Sequence, residues 1–228
     1  MTDIKVVIPA NNEEQSIGLV VRDIPRHLVS EIVVVNNAST DRTREEAEAA
    51  GATVLDEPTP GYGRACLKGI NYLKAEGKRP DVLVFLDGDY SDYPEEMELV
   101  VAPILNDGMD MVIGSRALGQ REGGSMTFPQ VFGNWLATTL MRIFYRVRFT
   151  DLGPFRAIRF DKLLEINMVD QTYGWTVEMQ VKAARHKLKT AEVAVNYKKR
   201  IGVSKVSGTI KGTVMAGYKI LWTIFKYL

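Results

Sequence analysis

Apolar runs and polar breaks alternate along the first half of the chain in a way that predicts strands and helices in turn. Ile4 to Ile8 is a short apolar run closed by Pro9, and Glu31 to Val35, Thr53 to Leu55, Val82 to Leu86 and Met109 to Ile113 follow it. Short continuous apolar runs read as strands buried on both faces. Between them helical patterns occupy Ser16 to about Arg22, Arg42 to Ala50, about Arg64 to Glu76 and Glu95 to Asn106, with Ser39 to Asp41 as N-cap candidates for the second. This alternation predicts an α/β protein built on a mostly parallel sheet flanked by helices on both faces.

Three polar loops, Asn11 to Glu14, Asn36 to Asp41 and Asp87 to Asp92, each follow a strand. Right-handed crossovers place such loops on one edge of the sheet, where they line a single crevice. The third loop begins Asp87-Gly88-Asp89. Two carboxylates this close repel each other unless a cation sits between them. Oxygen-only ligands suit Mg²⁺ or Mn²⁺, ions that bind through one or two carboxylates plus substrate phosphates. The pattern thus points to a divalent metal holding a diphosphate, with a solvated Asp-Gly turn as the plainer alternative. A dinucleotide site is not indicated, because Gly61-Tyr62-Gly63-Arg64-Ala65-Cys66 lacks the third glycine of the usual fingerprint and reads as a tight turn. The stretch 117–129 is Gly-rich and aperiodic, either a functional loop or a surface excursion.

A chain of 228 residues buries one sizeable core, and one domain is expected. Its single cysteine, Cys66, suggests a reducing compartment. The first strand begins so early that no targeting segment is expected ahead of it. No apolar run reaches the roughly 20 residues of a membrane span, so a soluble or peripheral protein is expected. Charge is unevenly spread: from Lys182 onward eleven Lys and Arg face the single acid Glu192, a net +10 that leaves −9 for the rest of a chain of +1 overall. Such asymmetry marks either an anionic partner or a solvated basic face. Two helical stripes carry the same signature. Val131, Trp135, Leu136, Leu140, Ile143, Phe144 and Val147 are flanked by Arg142, Arg146 and Arg148, while Ile210, Val214, Leu221, Phe225 and Leu228 alternate with Lys211, Lys219 and Lys226. Each stripe fits core packing or an anionic membrane interface.

Taken as an ordered set, these motifs resemble a family-2 glycosyltransferase with the GT-A fold. The residues that carry the resemblance are Val6-Val7-Ile8-Pro9 with Asn12-Glu13-Glu14, Val33 to Asp41, Leu86-Asp87-Gly88-Asp89 and Gly114-Ser115-Arg116. Thr150-Asp151-Leu152-Gly153-Pro154-Phe155-Arg156 and Arg200-Ile201-Gly202-Val203-Ser204-Lys205 resemble the subgroup that transfers sugars to polyprenyl phosphates, the dolichyl-phosphate mannose or glucose synthases. The resemblance implies a single GT-A domain over 1–228: a nucleotide-sugar-binding half over 1–116, an acceptor half over 117–207 and a C-terminal amphipathic helix over 208–228.

It further implies a metal-dependent, inverting transfer of a hexose from a nucleoside-diphosphate sugar to a polyprenyl or dolichyl phosphate. Pro9, Asn11, Glu13, Asn37, Asp87 and Gly88 would bind the nucleotide sugar, and Asp87 and Asp89 would hold Mg²⁺ or Mn²⁺. Arg116, Arg156, Arg200, Ser204 and Lys205 would hold the acceptor phosphate, with Asp89, Arg116, Arg200 and Lys205 as the catalytic set. Arg156 precedes a short apolar strand, so a structural role for it is the competing reading. Asn37 stands where relatives usually carry Asp, and an amide matches uracil better than guanine, which favours a UDP-sugar over GDP-mannose. Thr176 falls where hydroxyl-glycosylating relatives place a base, leaving Asp151 or Glu178 for that role. A phosphate acceptor needs no base, since it is already ionised. The implied setting is the cytoplasmic, inner face of an anionic membrane, with no nucleic acid partner and room for a separate membrane-anchor protein. The alternatives are a soluble phosphorylated or hydroxyl acceptor, and a non-catalytic sugar-nucleotide or membrane-surface binding module. A nucleotidyltransferase is disfavoured because no Gly-rich phosphate loop follows the first strand.

Overall fold

The computed structural model describes residues 2–75, 77–202 and 210–228. Seven strands form one sheet: β1 (Ile4–Ala10), β2 (Glu31–Asn37), β3 (Thr53–Glu57), β4 (Val82–Phe85), β5 (Met111–Ser115), β6 (Arg156–Arg159) and β7 (Thr190–Ala194). Their order is β3-β2-β1-β4-β6-β5-β7. All pairings are parallel except those of β6, which runs antiparallel to β4 and to β5. The parallel expectation for the first four strands is therefore met, and their carboxyl ends share one edge.

The helices are α1 (Ile17–Asp23), α2 (Thr43–Ala49), α3 (Tyr62–Leu73), α4 (Met97–Asp107), α5 (Phe128–Tyr145), α6 (Phe160–Ile166), α7 (Trp175–Arg185) and α8 (Ile210–Lys226). Alternate residues of each central strand enter opposite cores. Val7, Val33, Leu83 and Phe85 meet α3, α5 and α7, whereas Val6, Ile8, Val34 and Val84 meet α1 and α4. That double burial is why the strands read as unbroken apolar runs. The third helix starts earlier than the glycine pair suggests, because Tyr62 and Gly63 already belong to its first turn.

The last helix is docked through one face. Ile224 is fully buried, the Tyr227 hydroxyl donates to Glu178 at 2.6 Å, and Lys219 pairs with Asp170 at 3.0 Å. Its other face leaves Val214, Met215, Tyr218, Trp222 and Phe225 exposed. A second exposed ridge, Phe128, Phe132 and Trp135, stacks along α5, and Phe144 of α5 meets Phe225 edge-on. Core packing thus accounts for only part of each stripe. Among the described residues no helix is long and apolar enough to cross a membrane.

Candidate active site

The ends of β1, β2 and β4 open into a cleft of about 240 Å³. It gathers Pro9, Asn11, Glu13, Asn37, Asp87, Gly88 and Asp89, all expected from the sequence, together with Tyr62, Tyr173 and Arg200. The first two loops are stapled to each other. Backbone N–H groups of Asn12, Glu13 and Glu14 donate to the side chains of Ser39, Thr43 and Asp41, and the Asn11 amide donates to the Asn37 carbonyl at 2.7 Å. These bonds tie the loops after β1 and β2 into one wall of the cleft.

Asn37 is turned into that wall. Its amide nitrogen donates to the carbonyls of Glu57 and Thr59, and its oxygen accepts from the Gly61 N–H at 2.8 Å. The side chain therefore positions the 57–61 loop, and its amide hydrogens are spent there on backbone carbonyls instead of being offered to a base such as uracil. Behind that loop Gly63 is required by close approach: a Cβ there would lie 2.1 Å from the Asp170 carbonyl oxygen.

Asp87 and Asp89 face the same cleft with different partners. Asp87 accepts from the Tyr62 hydroxyl at 2.9 Å. Burial, and then the neighbouring charge of Asp89, push its carboxyl up to about 7. Asp89 accepts from the Ser91 N–H and hydroxyl on Oδ1, at 3.0 and 2.5 Å, and meets Arg200 at 3.0 Å on Oδ2. A carboxyl pushed up by burial and then by a neighbouring carboxylate gains from an incoming cation, which relieves both. Among the described residues no three His, Cys, Asp or Glu side chains gather to hold an ion alone. The residues present fit an ion that completes its shell with substrate oxygens, as Mg²⁺ and Mn²⁺ do.

Beyond the pair lies a second cationic centre. Arg116 donates from its backbone N and Nε to Asp151 Oδ2 and from Nη2 to Oδ1, each at 2.8 Å. Burial opposes the charge of Arg116, but Asp151 outweighs it and drives the guanidinium pKa further up. A cleft of about 350 Å³ starts here, lined by Asp151 and Thr150, by the cations Arg121 and Arg142, and by the apolar Val131, Trp135 and Phe149.

Several expected roles are corrected by these positions. Arg156 is fully buried, and its guanidinium donates to the carbonyls of Leu152, Gly153 and Thr176, so it braces the loop before β6 and is out of reach of an acceptor. Glu178 is fully buried, paired with Lys182 at 2.9 Å and bonded to Tyr227 and to two backbone N–H groups. Asp151 has both oxygens bound by Arg116 and is 1 % exposed. Neither carboxylate is placed to take a proton from a hydroxyl. Arg200 lies in the first cleft on Glu13 and Asp89, at 2.9 and 3.0 Å, and not among the residues that line the cleft beside Asp151. Ser204 and Lys205 lie outside the described residues.

The sequence reading missed Tyr62, Arg121, Arg142 and Asp92. Asp92 is 2 % exposed, neither of its oxygens has a hydrogen-bond partner among the described residues, and burial followed by Asp87 pushes its carboxyl far up. Only its closeness in sequence to the acidic pair hinted at it. Arg121 and Arg142 had only their place in a loop and a stripe.

Comparison with known proteins agrees with this architecture. The family model "Glycosyl transferase family 2" matches residues 5–166. An uncharacterized glycosyltransferase of Mycobacterium tuberculosis is 34% identical over 216 residues, covering 93% of this chain and 94% of the relative. A dolichyl-phosphate hexose transferase of Haloferax volcanii is 34% identical over 213 residues, covering 90% and 86%. The fold is shared with glucosyl-3-phosphoglycerate synthase from Mycobacterium tuberculosis, crystallised with Mn²⁺, UDP-glucose and phosphoglyceric acid, at a TM-score of 0.78 and 23% identity over 99% of this chain and 79% of that one. With a family model spanning most of its sheet and relatives that match nearly end to end, the chain belongs to glycosyltransferase family 2 and has the GT-A fold.

Proposed function

We propose that this enzyme moves a hexose from a nucleoside-diphosphate sugar to a polyprenyl phosphate at the cytoplasmic surface of an anionic membrane. The observation that carries the proposal is the pairing of the acceptor cleft with a locked set of carboxylates. Asp151 and Glu178 are both committed to structural bonds, which suits an acceptor that arrives already ionised. The cleft beside Arg116 combines two arginines with Trp135, Val131 and Phe149, a match for a charged head on an apolar tail. Trp135, which lines this cleft, also belongs to the exposed Phe128–Phe132–Trp135 ridge of α5, and on α8 the exposed Trp222 ring is covered by the ammonium groups of Lys219 and Lys226. Aromatic side chains beside cations suit an anionic interface, where each Lys or Arg near the surface contributes about 1 kcal/mol.

On this reading Asp87 and Asp89 would hold Mg²⁺ or Mn²⁺, as suggested by the ion named in the related synthase. Bound there, the ion would neutralise the departing diphosphate. Tyr62 orients Asp87, and Ser91 orients Asp89. Arg116, fixed by Asp151, and the arginines 121 and 142 would bring an acceptor oxygen to the anomeric carbon. A bond forms between that oxygen and the carbon as the bond to the diphosphate breaks on the opposite face. The nucleoside diphosphate leaves with the electron pair, and the anomeric centre inverts.

A soluble phosphorylated acceptor is the second reading, favoured by the phosphoglyceric acid named in the structural relative. Turnover assays with UDP-glucose, UDP-N-acetylglucosamine or GDP-mannose, each with Mn²⁺, on a short polyprenyl phosphate and on phosphoglycerate separate the two. Transfer to the lipid alone is the expected result. Transfer to phosphoglycerate alone would replace the proposal by its rival.

A further inference from the structure

The acidic wall of the nucleotide cleft is balanced by one cation among its described lining residues. Glu13, Asp87 and Asp89 face Arg200. Arg200 reaches Glu13 Oε1 with Nη2 at 2.9 Å and Asp89 Oδ2 with Nη1 at 3.0 Å. Because Ser91 already occupies Asp89 Oδ1 through two bonds, every oxygen of this carboxylate has a partner. Oδ1 is filled by the two Ser91 bonds, so an ion must come to Oδ2, where it meets the like charge of the guanidinium at contact distance and one of the two cations has to move. The Ser91 bonds span two residues and belong to the loop's own turn. The arginine comes from a distant strap and is the partner that can leave.

That strap does not depend on the side chain for its position. Its backbone is tied to the acidic loop by Lys198 N–H to the Ser91 carbonyl at 2.9 Å and Ile201 N–H to the Asp89 carbonyl at 3.0 Å. The Lys198 ammonium lies over the rings of Tyr90 and Tyr93, at 3.3 and 4.4 Å. Arg200 also keeps one buried donor unmatched: its Nε has no hydrogen-bond partner among the described residues. A buried N–H without an acceptor is costly, and a phosphate oxygen entering the cleft would meet that need.

We propose that Arg200 is a place-holding cation, resting on Asp89 until a divalent ion claims that carboxylate and then turning, still held by Glu13, to the diphosphate of the donor. This rests on the metal-and-diphosphate reading above and adds an order to it. Without nucleotide, Arg200 and the metal compete for one oxygen. With nucleotide they act together, because the released guanidinium gains a phosphate partner, for which its planar fork is well suited. Arg200 is thus a positioning residue that couples metal binding to donor binding.

The test is Mn²⁺ titration, read by the loss of free-ion EPR signal, on wild type, Arg200→Gln, Arg200→Lys and an Asp89→Ala control, each with and without UDP. Far-UV circular dichroism and melting establish that every variant is folded. We expect Arg200→Gln to bind Mn²⁺ alone about fivefold more tightly, the worth of a partly exposed ion pair, and to bind it more weakly than wild type once UDP is present. Arg200→Lys, which keeps the charge, should fall between the two in both states. A change of sign on adding nucleotide is not what loss of a structural contact would produce. Equal or weaker Mn²⁺ binding by Arg200→Gln without nucleotide overturns the place-holding role while leaving the metal site standing. Mn²⁺ binding that survives unchanged in Asp89→Ala overturns the metal reading and this inference together.

Discussion

Arg116 and Asp151 are joined by three hydrogen bonds of 2.8 Å, two from the guanidinium and one from the backbone of Arg116 itself. The side chains are 11% and 1% exposed, so each depends on the other to remain charged away from water. Removing one member of a buried pair leaves an uncompensated charge. Asp151→Ala should lower unfolding free energy by about 3–5 kcal/mol, measured by urea melting. Arg116→Lys should be less damaging to the fold but should depress turnover strongly, because an ammonium cannot replace the fork that Asp151 aligns.

Asp89→Ala should abolish transfer with the fold intact. The informative readout is thermal: saturating Mn²⁺ with a nucleoside diphosphate should raise the melting temperature of wild type and leave the variant unmoved. At a hundredfold excess over Kd the wild-type gain amounts to about 2.7 kcal/mol.

The raised carboxyl of Asp87 gives a pH dependence of definite sign. Its folded value near 7 exceeds the unfolded value of about 3.9, so between these limits the folded, metal-free protein binds more protons than the unfolded chain. Its contribution to stability therefore falls as pH rises through that window. The difference in melting between wild type and Asp87→Asn, measured without metal from pH 4 to 7.5, should shift against wild type as pH increases. Mn²⁺ must displace the same proton, so its affinity should weaken as pH drops below about 7.

Glu178→Gln separates structure from chemistry. Glu178 joins α7 to the residue after α8 through the Tyr227 hydroxyl and pairs with Lys182 along its own helix, and its loss should cost about 1–3 kcal/mol. Turnover per folded molecule on a phosphate acceptor should remain close to wild type. A collapse of kcat in fully folded protein would assign Glu178 a proton-transfer role that its burial argues against.

Two glycines near the cleft should respond very unequally to an added methyl group. A Cβ on Gly88 would meet Ala10, Ile17 and the Pro9 carbonyl at 3.4 Å, whereas one on Gly63 would come within 2.1 Å of the Asp170 backbone. Gly88→Ala should change stability by no more than about 0.5 kcal/mol. Gly63→Ala must displace the backbone of Asp170 and Gln171 and should cost about 1–3 kcal/mol, with weaker nucleotide binding as its companion. Melting and nucleotide titration of both variants check this.

The first half of the fold was legible because β1, β2 and β4 are buried on both faces and followed by polar loops at the same edge. Pattern alone brought the loop of Asn11 and Glu13 and the acidic pair to one cleft, and the family resemblance added Pro9. The second half was harder for physical reasons. Arg156 opens β6 as a fully buried cation satisfied by carbonyl groups, which sequence cannot tell from a cation reserved for phosphate. Arg200 reaches Glu13 across 187 positions, and such a contact leaves no local trace. Asn37 was found in the right place, but the partners of its amide are backbone atoms of a neighbouring loop, which composition does not reveal.

The antiparallel strand β6 sets a distance. By running against both neighbours it keeps β4 and β5 pointing the same way while standing between them. Two interstrand intervals, roughly 10 Å, therefore separate the strand that leads to Asp87 from the one that leads to Arg116. On the proposed reading, that interval would set the leaving diphosphate and the incoming phosphate to either side of a sugar ring, a spacing fixed by the sheet itself.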